Sequence, residues 1–168
     1  MDDLEIQPVS VSRRIEAPAE DIFELLTASQ MHPDFDGSGM LLQGAPASRV
    51  SGVGDAFVMN MHNERLGDYE MENHVVEFEL NRRIGWEPAL RAAERQPDTS
   101  VPFGTRFGHR WIFELAPDGP DATNVTEIYD CTRAPEQLRA AMDNGKVWVE
   151  GMNETLEKLE TLCTKRGE

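Results

Sequence analysis

Four histidines, two tyrosines, two cysteines and 31 carboxylates are the side chains of this sequence best able to move protons, bind metals or attack a substrate. The histidines are His32, His62, His74 and His109, and no two stand at the helical spacing of an HExxH motif. A metal site would need three ligands to converge from separate elements, so no metal is expected. His109 alternates with Phe107 and Trp111, which turns it toward the interior of a strand. It reads either as a hydrogen-bonded core histidine or as a pocket acid/base. His74 carries the same two readings. Tyr129 and Asp130 adjoin on a strand and so point to opposite faces. Parity with Val125 sends Tyr129 inward, where its hydroxyl needs a partner, although Ile128 competes for that face. His109 and Tyr129 are therefore the candidate catalytic residues. Glu70, Glu72, Glu77 and Glu79 crowd one strand and read as a solvated face, without the paired carboxylates of a hydrolase. Cys131 and Cys163 fit no metal or redox spacing and are expected as reduced thiols. There is no GxSxG elbow and no dinucleotide fingerprint, and Gly52-Val53-Gly54 lacks the helix that would make it a phosphate cradle. No cofactor is expected.

The elements that must position these groups follow from periodicity. Pro135 to about Leu162 reads as one long amphipathic helix, with Leu138, Ala141, Met142, Gly145, Trp148, Met152, Leu156, Leu159 and Leu162 recurring at helical spacing. At about 1.5 Å per residue it would span roughly 40 Å and needs a broad apolar surface to lie on. Trp148 on its apolar face either fills the core or walls a cavity, and Gly145 one turn away would let a ligand approach the helix. Upstream, residues 6–16 alternate as a strand whose apolar face carries Arg13. Ala17 to Asp21 opens a short helix with Ile22, Leu25 and Leu26 inward, and Met31 to Phe35 forms a second short turn of helix. Met40–Val50 is a weak strand, Ala56–Asn63 a clearer one, and Tyr69–Leu80 a long one with His74, Val76, Phe78 and Leu80 on one side. A strand through Ile84 and Trp86 is expected to end at Pro88. Residues 89–102 are the least determined, with a helical turn at Arg91–Arg95 and a loop at Gln96–Ser100. Strands over Thr105–Ala116 and Thr123–Thr132 follow. Met59, Met61, Met142 and Met152 are soft apolar groups suited to core filling or to varied ligands. The order of one strand, two short helices, about six antiparallel strands and one long helix predicts an α+β fold over a single domain, 1–168.

Sixteen basic and 31 acidic side chains give a net charge of −15. Such a surface repels phosphate backbones and anionic membranes, so no nucleic-acid partner is expected. No apolar run approaches a membrane span, so membrane insertion is not expected. The acidic start, Met1 to Glu5, lacks an apolar signal region, which gives a cytoplasmic expectation.

The element order resembles the helix-grip fold of the START/Bet v 1-like (SRPBCC) superfamily, in particular its bacterial polyketide cyclase/dehydrase and lipid-transport branch. The resemblance runs nearly the whole chain. Ile15-Glu16-Ala17-Pro18-Ala19-Glu20-Asp21-Ile22-Phe23 is similar to the passage from first strand to first helix. Asp36-Gly37-Ser38-Gly39 and Gly52-Val53-Gly54-Asp55 match glycine turns, and Arg82-Arg83-Ile84-Gly85-Trp86 resembles an arginine-then-tryptophan strand. The resemblance implies a curved antiparallel sheet wrapped round the C-terminal helix with a hydrophobic tunnel between them. Met59, Met61, His74, Trp86, His109, Trp111, Tyr129, Trp148 and Met152 would line that tunnel, with Phe35 at its mouth. The function expected from it is binding, transport or sequestration of a hydrophobic small molecule such as a polyketide or lipid-like metabolite. A polyketide cyclase/dehydratase acting in the same cavity is the first alternative. A protein-interaction module with a filled core is the second. The partners implied are the ligand and, as an open option, a second copy of the chain in a homodimer.

Overall fold

The computed structural model describes residues 6–94 and 102–166. β1 (Val9–Ile15) leads into α1 (Ala19–Thr27), a 3-10 turn at Ser29–Met31 and α2 (His32–Phe35). Then come β2 (Leu41–Leu42), β3 (Ala56–Asn63), β4 (Gly67–Glu79), β5 (Arg83–Ala93), β6 (Arg110–Pro117) and β7 (Thr123–Asp130). α3 (Glu136–Ala141), a 3-10 segment at Asp143–Trp148 and α4 (Val149–Arg166) follow. The strands form one seven-stranded sheet in the order β1-β7-β6-β5-β4-β3-β2, antiparallel at every pairing. β2 to β7 are a meander of sequence neighbours, and only β1 joins out of order, beside β7. The sheet curls as a half-barrel round the C-terminal helix, a helix-grip α+β fold.

Local sequence explains the layers. Glu20 and Asp21 lie in the first turn of α1, where acidic charge complements the helix dipole. Its inner stripe of Ile22, Phe23, Leu25 and Leu26 is buried. On α4, Met152, Thr155, Leu156, Leu159 and Cys163 recur at three- and four-residue spacing and are all buried. Burying one such large apolar side chain stabilises the fold by about 1.5–3 kcal/mol. α4 also meets the loop after α2 at unusually close range. A Cβ on Gly37 would stand 2.2 Å from the Gly151 carbonyl oxygen and 2.7 Å from the Thr155 nitrogen. The Gly37 N–H donates to Thr155 Oγ1 at 2.8 Å, and that hydroxyl donates to the Gly151 carbonyl at 3.0 Å. Any side chain at position 37 would push the layers apart.

Several expected elements differ. The single helix from Pro135 is broken: Asp143, Asn144 and Gly145 have φ of 48°, 53° and 97°. Three left-handed residues cannot continue an α-helix, and Asp-Asn-Gly is a run whose residues tolerate that region. The Met40–Val50 strand shrinks to Leu41–Leu42, with an isolated bridge from Arg49 to Ala28. β5 runs through Pro88 to Ala93, so residues 91–93 are strand and not a helical turn. Pro88 is tolerated because β6 pairs with β5 only from Arg83 to Trp86. Beyond that, the described residues give β5 on that side an isolated bridge from Ala89 to Arg106 and a bond from the Gly104 N–H to the Leu90 carbonyl, leaving position 88 without a ladder bond to lose there. The expected loop at Gln96–Ser100 lies outside the described residues. β6 starts at Arg110 and not at Thr105. A register shift between Val75 and Glu77 breaks the parity of β4. Phe78 therefore faces inward against the Phe23 ring, 5.4 Å away, while His74 before the shift faces outward.

Candidate functional site

The start of β6, the end of β7 and the 3-10 segment before α4 bring four ring side chains together. Pairing of Trp111 with Tyr129, and of Tyr129 with Val9, sets both rings on the concave face. Their centroids lie 4.7 Å apart. Trp148 approaches Trp111 at 5.6 Å and Tyr129 at 6.1 Å, both edge-on. His109 Nδ1 and the Tyr129 hydroxyl share a hydrogen bond of 3.0 Å. Burial lowers His109 to about 4, against a smaller upward pull from Glu87. Burial likewise pushes Tyr129 up to about 12. Both are therefore neutral near pH 7. The Trp148 indole N–H is close enough to the Tyr129 hydroxyl to favour its ionised form, yet it has no partner in hydrogen-bond geometry. Trp111 and Trp148 are only partly buried, so this cluster borders solvent.

Gly145 serves the cluster differently from the sequence expectation. A Cβ there would stand 2.7 Å from Tyr129 Cδ1 and 2.9 Å from Val9 Cγ2. The space beside this glycine is thus occupied by the Tyr129 ring and Val9, and a ligand cannot approach through it in this structure.

The remaining expected pocket residues fall into three places. Phe35 and Trp86 join a second nest built round His32, a histidine that sequence reasoning passed over. The His32 ring lies 5.0 Å from Phe35, 5.4 Å from Phe57 and 5.4 Å from Trp86. Its Nε2–H donates to the Leu26 carbonyl at 2.8 Å, and burial lowers it to about 4. Trp86 continues the stack to Phe113 at 5.9 Å. Met152 is buried on α4. Met59 and Met61 share the concave face of β3, paired with Met71 and Tyr69. His74 is brought to neither nest; its Nε2 stands 3.3 Å from Glu72 on the outer face. The rings expected to line a tunnel therefore pack against one another. A cavity of about 40 Å3 lies instead by the edge of β2 and β3, lined by Met59, Pro33, Leu42 and Asn60 among others, with room for about one water molecule.

Two buried polar residues on the concave face were also missed. Glu127 pairs with Val11 and Phe113, is 3% exposed, and its Oε2 has no hydrogen-bond partner. Burial, reinforced by the charge of Asp36, holds its carboxyl well above the usual range. Asn73, 1% exposed, pairs with Phe57 and leaves Nδ2 unpartnered. The parity of Val125, Glu127 and Tyr129 was the signal that could have found Glu127. Among the described residues no group of three or more metal-ligating side chains comes together, and no helix is long and apolar enough to cross a membrane. Cys131 and Cys163 are both buried.

With this geometry in hand, comparisons identify relatives. The family model described as Activator of Hsp90 ATPase homolog 1-like protein matches residues 16–164. An uncharacterized protein of Mycobacterium tuberculosis H37Rv is 28% identical over 125 residues, which cover 73% of this chain and 48% of the relative. The chain thus spans about half the length of the curated relatives it matches. A crystal structure of a Nitrosomonas europaea protein aligns with a TM-score of 0.65 at 16% identity, covering 99% of both chains. One from Silicibacter pomeroyi, named for the same family, aligns at 0.61 and 14% identity over 95% of this chain and 99% of that one. At such identities these structures speak to the fold alone.

Proposed function

The chain belongs to the Activator of Hsp90 ATPase homolog 1-like family, within the START/Bet v 1-like superfamily, and on that premise we propose that it binds a hydrophobic small molecule between the concave sheet face and the C-terminal helix. Folds of this kind commonly bind hydrophobic ligands. The observation that carries the reading is the half-open cluster of His109, Trp111, Tyr129 and Trp148. Trp111 and Trp148 stay partly exposed at its edge while Tyr129 is buried, and one buried indole N–H is unpartnered. Such a combination of apolar face and fixed polar handle suits ligand recognition. Admission of a ligand requires the rings to part. α3 buries none of its side chains fully, and the left-handed residues at 143–145 join it to the 3-10 segment, so α3 is the cheapest element to displace. A polyketide or lipid-like metabolite would fit this chemistry.

Turnover is less well supported than binding. Efficient proton transfer wants a group tuned near the working pH. His109 at about 4 and Tyr129 at about 12 lie far to either side of neutrality. They can orient a ligand by hydrogen bonding, whereas a cyclase or dehydratase would need one of them retuned. A second reading, assistance to an Hsp90-type ATPase as the family's name describes, draws support from the ring-to-ring packing of the interior and the charge of −15. Cytoplasmic residence and a homodimer are compatible with either.

The test is a titration with Nile red, a neutral hydrophobic dye, alongside native mass spectrometry of protein purified from its own source. Saturable dye binding, or a co-purifying mass released on denaturation, is expected. Absence of both, together with stimulated ATP turnover by an Hsp90-type ATPase of the same source, would overturn the binding reading and favour the second.

A further inference from the structure

Glu127 has an environment that the fold alone does not explain. It stands on the concave face between Val11 and Phe113, 3% exposed. Among the described residues no arginine, lysine or histidine forms an ion pair with it. Oε2 lacks any hydrogen-bond partner. A leucine would fill such a position at no polar cost, whereas a buried group without a partner is expensive.

The charged groups around it make the imbalance specific. The group acting on Glu127 is Asp36, another carboxyl, reaching in from the loop after α2. Asp36 is half-buried, is met by the Ser38 N–H and hydroxyl, and feels the charge of Lys158 on α4. The Lys158 ammonium donates to the Asp36 carbonyl at 3.3 Å. Tyr69 on β4 feels the same Asp36 charge, and its neutral phenol adds no cation. Glu127 thus lies within the field of a second carboxyl, and the one ammonium near Asp36 is exposed and bonded to a backbone carbonyl, so no cation of the described residues is placed to pair with Glu127. The nearby Trp111, Trp148 and Tyr129 faces are surfaces that attract cations, and the net charge of −15 raises their local concentration.

We infer that the interlayer site is built for an amphiphilic amine, whose ammonium pairs with the Glu127 carboxylate while its apolar body lies against the aromatic cluster. The inference rests on the reading that a small molecule enters between the layers. The proton balance follows. Burial without a cation raises the Glu127 carboxyl and favours its neutral form. An ammonium arrives already charged, so Glu127 gives its proton to solvent and one proton is released for each ligand bound. A carboxylate ligand would meet two acids and no free cation there, and is rejected.

Titration calorimetry at pH 7 in buffers of different ionisation enthalpy tests this with three probes of equal chain length: n-octylammonium, n-octanol and octanoate. The expected result is that n-octylammonium binds at least about tenfold tighter than n-octanol, with octanoate weakest, and that one proton is released per n-octylammonium. In Glu127→Gln, which keeps the shape, the preference for the amine and the proton release both disappear. Saturable n-octanol binding without preference for the amine, or a preference that survives in Glu127→Gln, overturns the inference and leaves the binding reading standing. No saturable binding of any probe defeats both. Should Glu127→Gln fail to fold, the preference of the unmutated protein for n-octylammonium over n-octanol decides alone, and its absence overturns the inference.

Discussion

His32 and His109 sit in adjoining aromatic nests that meet where Trp86 pairs with Trp111 across β5 and β6. Burial lowers both to about 4, so titration alone does not tell them apart. Their partners do. His32 spends its N–H on a backbone carbonyl, and Phe35, Phe57 and Trp86 enclose it at 5.0 to 5.4 Å. His109 shares a hydrogen bond with a side-chain hydroxyl, in a cluster that borders solvent beside a left-handed backbone run and keeps an unpartnered indole N–H. A histidine satisfied by backbone holds a fold together. One satisfied by a side chain at an open boundary can exchange that partner for a ligand.

The comparison predicts unequal responses to matched truncations. Trp86→Ala should cost about 3–5 kcal/mol in urea unfolding, because its ring is enclosed on all sides. Should Trp148→Ala cost as much, the two nests are equally structural and the contrast fails. The next largest effect is on pH. The folded pKa of His32 lies below its unfolded value of 6.5, so between about 4 and 6.5 the unfolded chain binds the extra proton. Stability is then full above pH 6.5 and falls by about 3 kcal/mol as pH drops toward 4. Glu127 acts in the opposite sense: its folded carboxyl holds its proton to higher pH, so its contribution is lost as pH rises above the usual carboxylate range. The check is therefore the difference between unmutated protein and His32→Gln, whose acid slope should be shallower. His109→Gln should flatten that slope by a similar amount, since burial lowers His109 to about 4 as well. Gly145→Ala should cost about 2 kcal/mol, from its φ of 97° and the new Cβ against Tyr129, and should shift the near-ultraviolet signal of Tyr129 and Trp148. Smallest is Trp148→Ala itself, expected to cost about 1–2 kcal/mol, below the range for enclosed rings, while changing Nile red affinity more than stability.

Much of the fold was legible because its signals are periodic. Alternation along β3 and β7 and the stripe of Met152, Leu156 and Leu159 carried the antiparallel sheet and its helix. What stayed hidden came from places where periodicity continues while the backbone does not. Leu138, Ala141 and Trp148 keep helical spacing across Asp143-Asn144-Gly145, so the break shows only in the turn residues. The bulge at Val76 reverses the parity of β4 and sends His74 outward while Phe78 stays in. Glu127 was hidden because a charged residue within an alternating strand is assigned to solvent by default, although its neighbours two residues away on either side both point inward. His32 lay in a short helical turn where spacing carries no face information.

The central claim is that the His109 nest receives a ligand and the His32 nest does not. The chain's three tryptophans report on it separately: Trp86 sits in the His32 nest, and Trp111 and Trp148 in the other. Their indole N–H resonances can be followed in a two-dimensional proton–nitrogen spectrum during titration with n-octylammonium and, independently, with Nile red. The account predicts saturable shifts for Trp111 and Trp148 with Trp86 nearly unmoved. A shift confined to Trp86, or three resonances that stay in place to the end of both titrations, would contradict it.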